Sequence, residues 1–208
     1  MIAGLIRLIT GAQARWDGAE PLAPDGSPRK RIYFANHTSN LDAPVIWASL
    51  PSVVRDRTRP VAARDYWEGG KVRRYLAGKV FRAVLIERKK VTAHANPLEA
   101  MEAALDAGDS LILFPEGTRA DDEDTGVHDF KPGLWHLARK HPDVELVPVY
   151  LENLNRMLPK GDFLLVPLLA AVTFGSPIRP EEGEEKGAFL ERAKRCVETM
   201  AHAGEGRA

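Results

Sequence analysis

The stretch Asn36-His37-Thr38-Ser39-Asn40-Leu41-Asp42 sets an imidazole and a carboxylate five residues apart. Histidine is the side chain whose ordinary pKa lies closest to neutrality, which suits a general base. A base that takes a proton from a hydroxyl gains from a carboxylate on its other ring nitrogen. The carboxylate fixes the tautomer and stabilises the imidazolium. Asp42, folding back across a turn, fits that task. The same residues carry a second reading. Ser39-x-x-Asp42 has the spacing of a helix capping box, and His37 is then a structural histidine.

Phe114-Pro115-Glu116-Gly117-Thr118-Arg119 directly follows a compact apolar run. Proline ends a strand there, and Gly117 lets the backbone approach a ligand closely. Backbone N–H groups, Thr118 and Arg119 at a strand end make an anion-binding corner. The plainer alternative is a Pro-Gly turn with a Glu–Arg surface pair.

The surrounding elements must position these groups. Strands are expected at Arg31–Ala35, Arg59–Ala63, Val80–Glu87, Ser110–Phe114, Leu146–Leu151 and Leu164–Phe174. Helices are expected at Asp42–Leu50, Lys71–Gly78, Asn96–Ala107, Gly133–Lys140 and Glu181–His202. Short strands alternating with helices imply an α/β layered domain, a mixed and mostly parallel sheet flanked by helices on both faces. His37 then sits at a strand's carboxyl end, a common place for active-site groups in such sheets. The loop 115–131 is long for a connection, as functional loops often are. The expected organisation is an N-terminal amphipathic helix over 1–16, a Pro/Gly-rich linker over 17–30 and a catalytic domain over 31–208.

The chain has 208 residues, ordinary globular composition and a formal net charge of zero. Zero net charge argues against a protein built mainly to bind nucleic acid. The charge is unevenly placed: residues 1–104 hold 17 Lys/Arg and 10 Asp/Glu, and residues 105–208 hold 12 and 19. The basic half contains Arg29-Lys30-Arg31, Lys71-Val72-Arg73-Arg74 and Arg88-Lys89-Lys90, which suit an anionic substrate, an anionic lipid surface or simply a solvated face. Cys196 is the single cysteine, so no intramolecular disulfide forms. No metal-ligand spacing appears. The longest apolar run, Phe163 to Val172, contains Pro167 and falls far short of the roughly 20 residues a membrane-spanning helix needs. Ile2, Leu5, Ile6 and Ile9 form one helical stripe, fit either to dock on the protein or to lie in a membrane interface.

Taken in order, these motifs resemble the glycerolipid acyltransferase family, whose founding activity is 1-acyl-glycerol-3-phosphate acyltransferase. The resemblance covers roughly Arg31 to Ile178. The block N-H-x-S-x-x-D is met by Asn36, His37, Ser39 and Asp42, and F-P-E-G-T-R by Phe114 to Arg119. Between them lies an apolar strand ending in Glu87-Arg88, with Glu where Asp is common. Phe130-Lys131-Pro132-Gly133, Val147-Pro148-Val149 and Phe174 to Ile178 supply the later blocks. The resemblance implies His37 as general base, Asp42 as its orienting carboxylate, and Arg88 and Arg119 on the acceptor phosphate. Glu116 and Gly117 then shape that corner, and Thr118 and Lys131 belong to it. The implied partners are a lysophospholipid acceptor, acyl-CoA or acyl carrier protein as donor, and a membrane surface on the cytoplasmic face. The resemblance implies no cofactor. The implied acceptor is lysophosphatidic acid, or else another lysolipid or an amino-acid lipid. A thioesterase and a non-catalytic lipid-binding module are the readings from other classes. No G-x-S-x-G elbow supports a hydrolase.

Overall fold

The computed structural model describes residues 2–87, 96–118, 126–154 and 170–205. Strand β1 (Gln13–Trp16) is followed by β2 (Arg31–Ala35), β3 (Thr58–Ala63), β4 (Val84–Ile86), β5 (Ser110–Leu113), β6 (Glu145–Glu152) and β7 (Ala171–Phe174). They form one sheet in the order β1-β7-β6-β2-β5-β3-β4. Every neighbouring pair is parallel except β6 and β7. The expected mixed, mostly parallel sheet is therefore what the chain builds.

Central β2 is buried along its whole length, and alternation sends its side chains to two different layers. Tyr33 and Ala35 join the core beneath α1 (Ile2–Thr10) and α2 (Asp42–Ser49). Ile32 and Phe34 join the core beneath α6 (Pro97–Asp106), α7 (Gly133–Lys140) and α8 (Lys186–Glu205). Short turns α3 (Ser52–Arg55) and α4 (Arg64–Trp67) flank β3, and α5 (Lys71–Tyr75) winds on as a π-helical turn over Leu76–Val80. Leu76, Ala77 and Val80 pack into the α1–α2 layer. Helix α6 opens as its sequence prescribes: Asn96 caps Leu98 N–H at 3.0 Å and Pro97 occupies the first turn.

Three expectations change. The N-terminal helix ends at Thr10, where Gly11 turns left-handed with φ 57°. Gln13–Trp16 then becomes an edge strand on β7, and Trp16 stacks on Phe174 at 4.1 Å. Secondly, of the stripe Ile2-Leu5-Ile6-Ile9, left open between docking and a membrane interface, only Ile6 docks. Ala3, Ile6 and Thr10 face the protein, and Arg7 donates to Ala48 O and Leu50 O, leaving Ile2, Leu5, Leu8 and Ile9 exposed. Thirdly, the strand expected over Val80–Glu87 shrinks to Val84–Ile86, because Leu76–Val80 is wound into the π turn and buries Phe81 against Trp47 and Trp67. The C-terminal helix begins at Lys186, and β7 covers only the end of the expected Leu164–Phe174 strand, whose residues 164–169 lie outside the described residues.

Candidate active site

Strand β2 pairs with β6 up to Ala35 and Val149. One residue further, the Asn36 side chain takes over the pairing. Its Nδ2 donates to Leu151 O at 3.2 Å and its Oδ1 accepts from Leu151 N at 2.9 Å. A strand residue's main chain makes these same two bonds in a ladder. The side chain thus extends the β2–β6 seam while the backbone leaves the sheet, and His37 emerges at the carboxyl edge.

Asp42, the first residue of α2, is wholly buried. Its Oδ2 meets His37 Nδ1 at 2.8 Å, Thr38 N at 2.7 Å and Ser39 N at 2.8 Å. The helix N-terminus adds a partial positive charge beside the carboxylate. With Nδ1 committed to Asp42, Nε2 is the ring nitrogen left to accept a proton. The capping-box pairing is half made, since Asp42 Oδ2 accepts from Ser39 N but Ser39 Oγ does not take Asp42 N. Ser39 Oγ accepts from Leu41 N, and Leu41, at the cap position, makes no side-chain bond.

Two further contacts hold the imidazole. Its ring stacks on Phe114 with centroids 4.2 Å apart and planes 22° apart. Its main-chain N–H donates to Glu116 Oε1 at 3.2 Å. Glu116 is 4% exposed and lines neither cavity described below, so it shapes the corner by tying the two motif segments together. Neither the Asn36 bridge nor the Glu116 tie was foreseen, because both partners are distant in sequence. Asn40, also in this turn, has neither a main-chain nor a side-chain hydrogen bond among the described residues, and it lines the His37 cleft.

The Pro115–Thr118 segment turns sharply: Gly117 N donates to Phe114 O at 3.0 Å and Gly117 sits at φ 74°. A Cβ placed there would lie 2.8 Å from Lys131 Cε and 2.9 Å from its Cδ. Glycine is required twice over, by the left-handed backbone and by the lysine crossing it. Lys131 N in turn donates to Pro115 O at 2.9 Å. Gly117, Thr118 and Lys131 line a cavity of about 620 Å³ whose apolar wall includes Ile86, Met101 and Leu134. His37 lines a smaller cleft of about 160 Å³, and Ile86, Leu113, Phe114 and Gly117 belong to both. Arg88 and Arg119 lie outside the described residues. Glu87, just before Arg88, pairs with Arg64 at 3.0 Å.

A carboxylate-braced histidine thus stands at the carboxyl edge of this sheet with Nε2 unengaged, an arrangement chemically suited to general-base work, beside an apolar cavity that Lys131 also lines. A family model described as Acyltransferase matches residues 18–152, and the chain belongs to that family. It is 28% identical to the 1-acyl-sn-glycerol-3-phosphate acyltransferase of Limnanthes douglasii over 187 residues, which is 88% of this chain and 60% of that protein. It is also 28% identical to the enzyme of the same name from Cocos nucifera, over 86% of this chain and 56% of the relative. The chain thus spans a little under two thirds of the length of these relatives. The crystal structure of the 1-acyl-sn-glycerophosphate (LPA) acyltransferase PlsC from Thermotoga maritima shares the fold, with a TM-score of 0.75 at 19% identity, covering 99% of this chain and 80% of that one.

Proposed function

We propose that this chain transfers a fatty acyl group from acyl-CoA or acyl carrier protein to the free hydroxyl of lysophosphatidic acid, giving phosphatidic acid. The observation that carries this reading is the convergence on Asp42 Oδ2 of His37 Nδ1 and the two following N–H groups. That arrangement aims Nε2 as a base and leaves no main-chain donor of the turn idle except at Asn40.

In the proposed step, His37 Nε2 accepts the acceptor's hydroxyl proton as the oxygen attacks the thioester carbonyl carbon. Asp42 stabilises the imidazolium that forms. The tetrahedral oxyanion lies beside the Asn40 N–H. The C–S bond then breaks, and the leaving thiolate takes the proton back from His37. No covalent acyl-enzyme and no cofactor enter this scheme. Thr118 and Lys131, with Arg88 and Arg119, hold the acceptor phosphate, and the apolar wall at Met101 and Leu134 takes an acyl chain. No helix among the described residues is long and apolar enough to cross a membrane. Attachment in this reading is peripheral, on the cytoplasmic face, through the exposed side of α1.

The test is acceptor-dependent thiol release from a long-chain acyl-CoA, with His37→Ala as control. Release that needs both lysophosphatidic acid and His37 is the expected result. Release without acceptor that still needs His37 would make the protein a thioesterase. Activity near wild type in the variant would remove the base assignment.

A further inference from the structure

The large apolar side chains exposed among the described residues are Ile2, Leu5, Leu8 and Ile9 on α1, Val53 on α3, and Val72 and Tyr75 on α5. These helices share one side of the sheet. Arg7 of α1 and Arg55 of α3 both donate to Leu50 O, and the turn that continues α5 packs into the core that α1 covers. Within this layer α1 is almost uncharged, since its one cation, Arg7, is turned to Ala48 O and Leu50 O. The charge lies on α5.

Val72 is 72% exposed and Tyr75 60% exposed, one helical step apart. Lys71, Arg73, Arg74 and Lys79 surround them, and the sequence from Gly69 to Arg82 holds no acidic residue. Arg73 reaches only Tyr66 O and the Tyr66 ring, and Arg74 only Glu68 O. None of the four cations makes an ion pair among the described residues. A solvated basic face does not need a valine and a tyrosine at its centre. An interfacial surface does: the apolar pair enters the headgroup boundary while the cations meet anionic lipid. Just before α5, Tyr66 and Trp67 of α4 line the His37 cleft.

We propose that Lys71, Val72, Tyr75 and Lys79 form a lipid-contact surface separate from α1, which seats the edge of the His37 cleft on an anionic bilayer. A membrane-borne acceptor then reaches His37 from the α4–α5 side. The role in acceptor delivery rests on the function proposed above; the lipid contact itself does not.

The experiment is cosedimentation of the full chain with two kinds of vesicle, phosphatidylcholine alone and phosphatidylcholine with 30 mol% phosphatidylglycerol as the chosen probe. Lys71→Ser/Lys79→Ser and Val72→Ser/Tyr75→Ser are compared with wild type, with a melting curve to show that each folds. A basic side chain at an anionic surface contributes roughly fivefold to partitioning, so the lysine pair is expected to lose about 25-fold on anionic vesicles and nothing on neutral ones. The Val72/Tyr75 pair loses binding to both, and raising the salt weakens wild type towards the lysine variant. The proposal is overturned if both folded variants sediment like wild type. It is equally overturned if vesicle binding holds while the KM for an acyl carrier protein donor rises, since the face would then dock a protein. Normal vesicle binding with no acyl transfer to lysophosphatidic acid would strike the proposed reaction and leave this surface standing.

Discussion

Replacing Asp42 by asparagine separates two jobs that one oxygen performs. Oδ2 accepts from Thr38 N at 2.7 Å, Ser39 N at 2.8 Å and His37 Nδ1 at 2.8 Å, while Oδ1 is buried without a partner among the described residues. The two fixed N–H groups demand an acceptor at the Oδ2 position, so the asparagine carbonyl takes it and the NH2 takes the empty side. Nδ1–H then still meets an oxygen, and the tautomer survives. Only the charge is lost. A hydrogen bond to a charged group contributes about 1.5–3 kcal/mol against about 0.5–1.5 kcal/mol for a neutral one. The imidazolium therefore loses about 1–2 kcal/mol, which is about 5- to 30-fold in kcat/KM. The buried NH2 without an acceptor costs stability of about 1–3 kcal/mol. Asp42→Ala differs, because it strands both N–H groups and releases the ring. Its loss should approach the roughly 10⁴-fold that a wrong histidine tautomer costs in serine proteases. The assay is thiol release under kcat/KM conditions, with urea melts alongside. If Asp42→Asn falls as far as Asp42→Ala, the amide has presented its NH2 to Nδ1, and the argument from the two backbone donors is wrong.

Gly117→Ala should lower acceptor affinity more than donor affinity, because the new Cβ lands on the Lys131 side chain and the backbone is left-handed; separate KM measurements for the two substrates check this. Asn36→Leu should lower kcat with little change in either KM, since Leu151 loses both hydrogen-bond partners and the His37 main chain loses its seam, and Asn36→Gln should not restore it. Glu145 governs acid stability. Burial raises its pKa, but hydrogen bonds from Arg31 and Arg29 more than offset this and hold it below the usual carboxylate range. A lowered folded pKa means stability that is full at neutral pH and lost as pH falls through that value. Glu145→Gln should therefore cost about 3 kcal/mol at pH 7, where it leaves buried Arg31 unpaired, and the gap from wild type should close as pH falls through the lowered Glu145 pKa in melts across pH.

Much of the candidate site was legible because its signals are local. His37 and Asp42 are joined across five residues, and strands β2 and β5 are short apolar runs ended by Asn36 and Pro115. What escaped is non-local. Asn36 bonds Leu151, 115 residues away, and Glu116 reaches back 79 residues to His37 N. Nothing in either neighbourhood announces these partners. The docked side of α1 was left open by the sequence because the helix is apolar nearly all round. Periodicity then no longer selects a face, and Ala3 and Thr10 win by being small enough for close approach to α2. The expected helix at Lys71–Gly78 runs on as the π turn to Val80, into the start of the expected strand, where Phe81 is buried against two tryptophans that no local signal announces.

Strand β1 gives the N-terminus a second meaning. Because Gln13–Trp16 is hydrogen-bonded along β7, these residues are the sealing strip of the sheet. Trimming them to make a better-behaved protein would do the reverse. It would uncover the Phe174 ring that Trp16 lies against and leave β7 as a raw edge, a template for pairing with a second molecule.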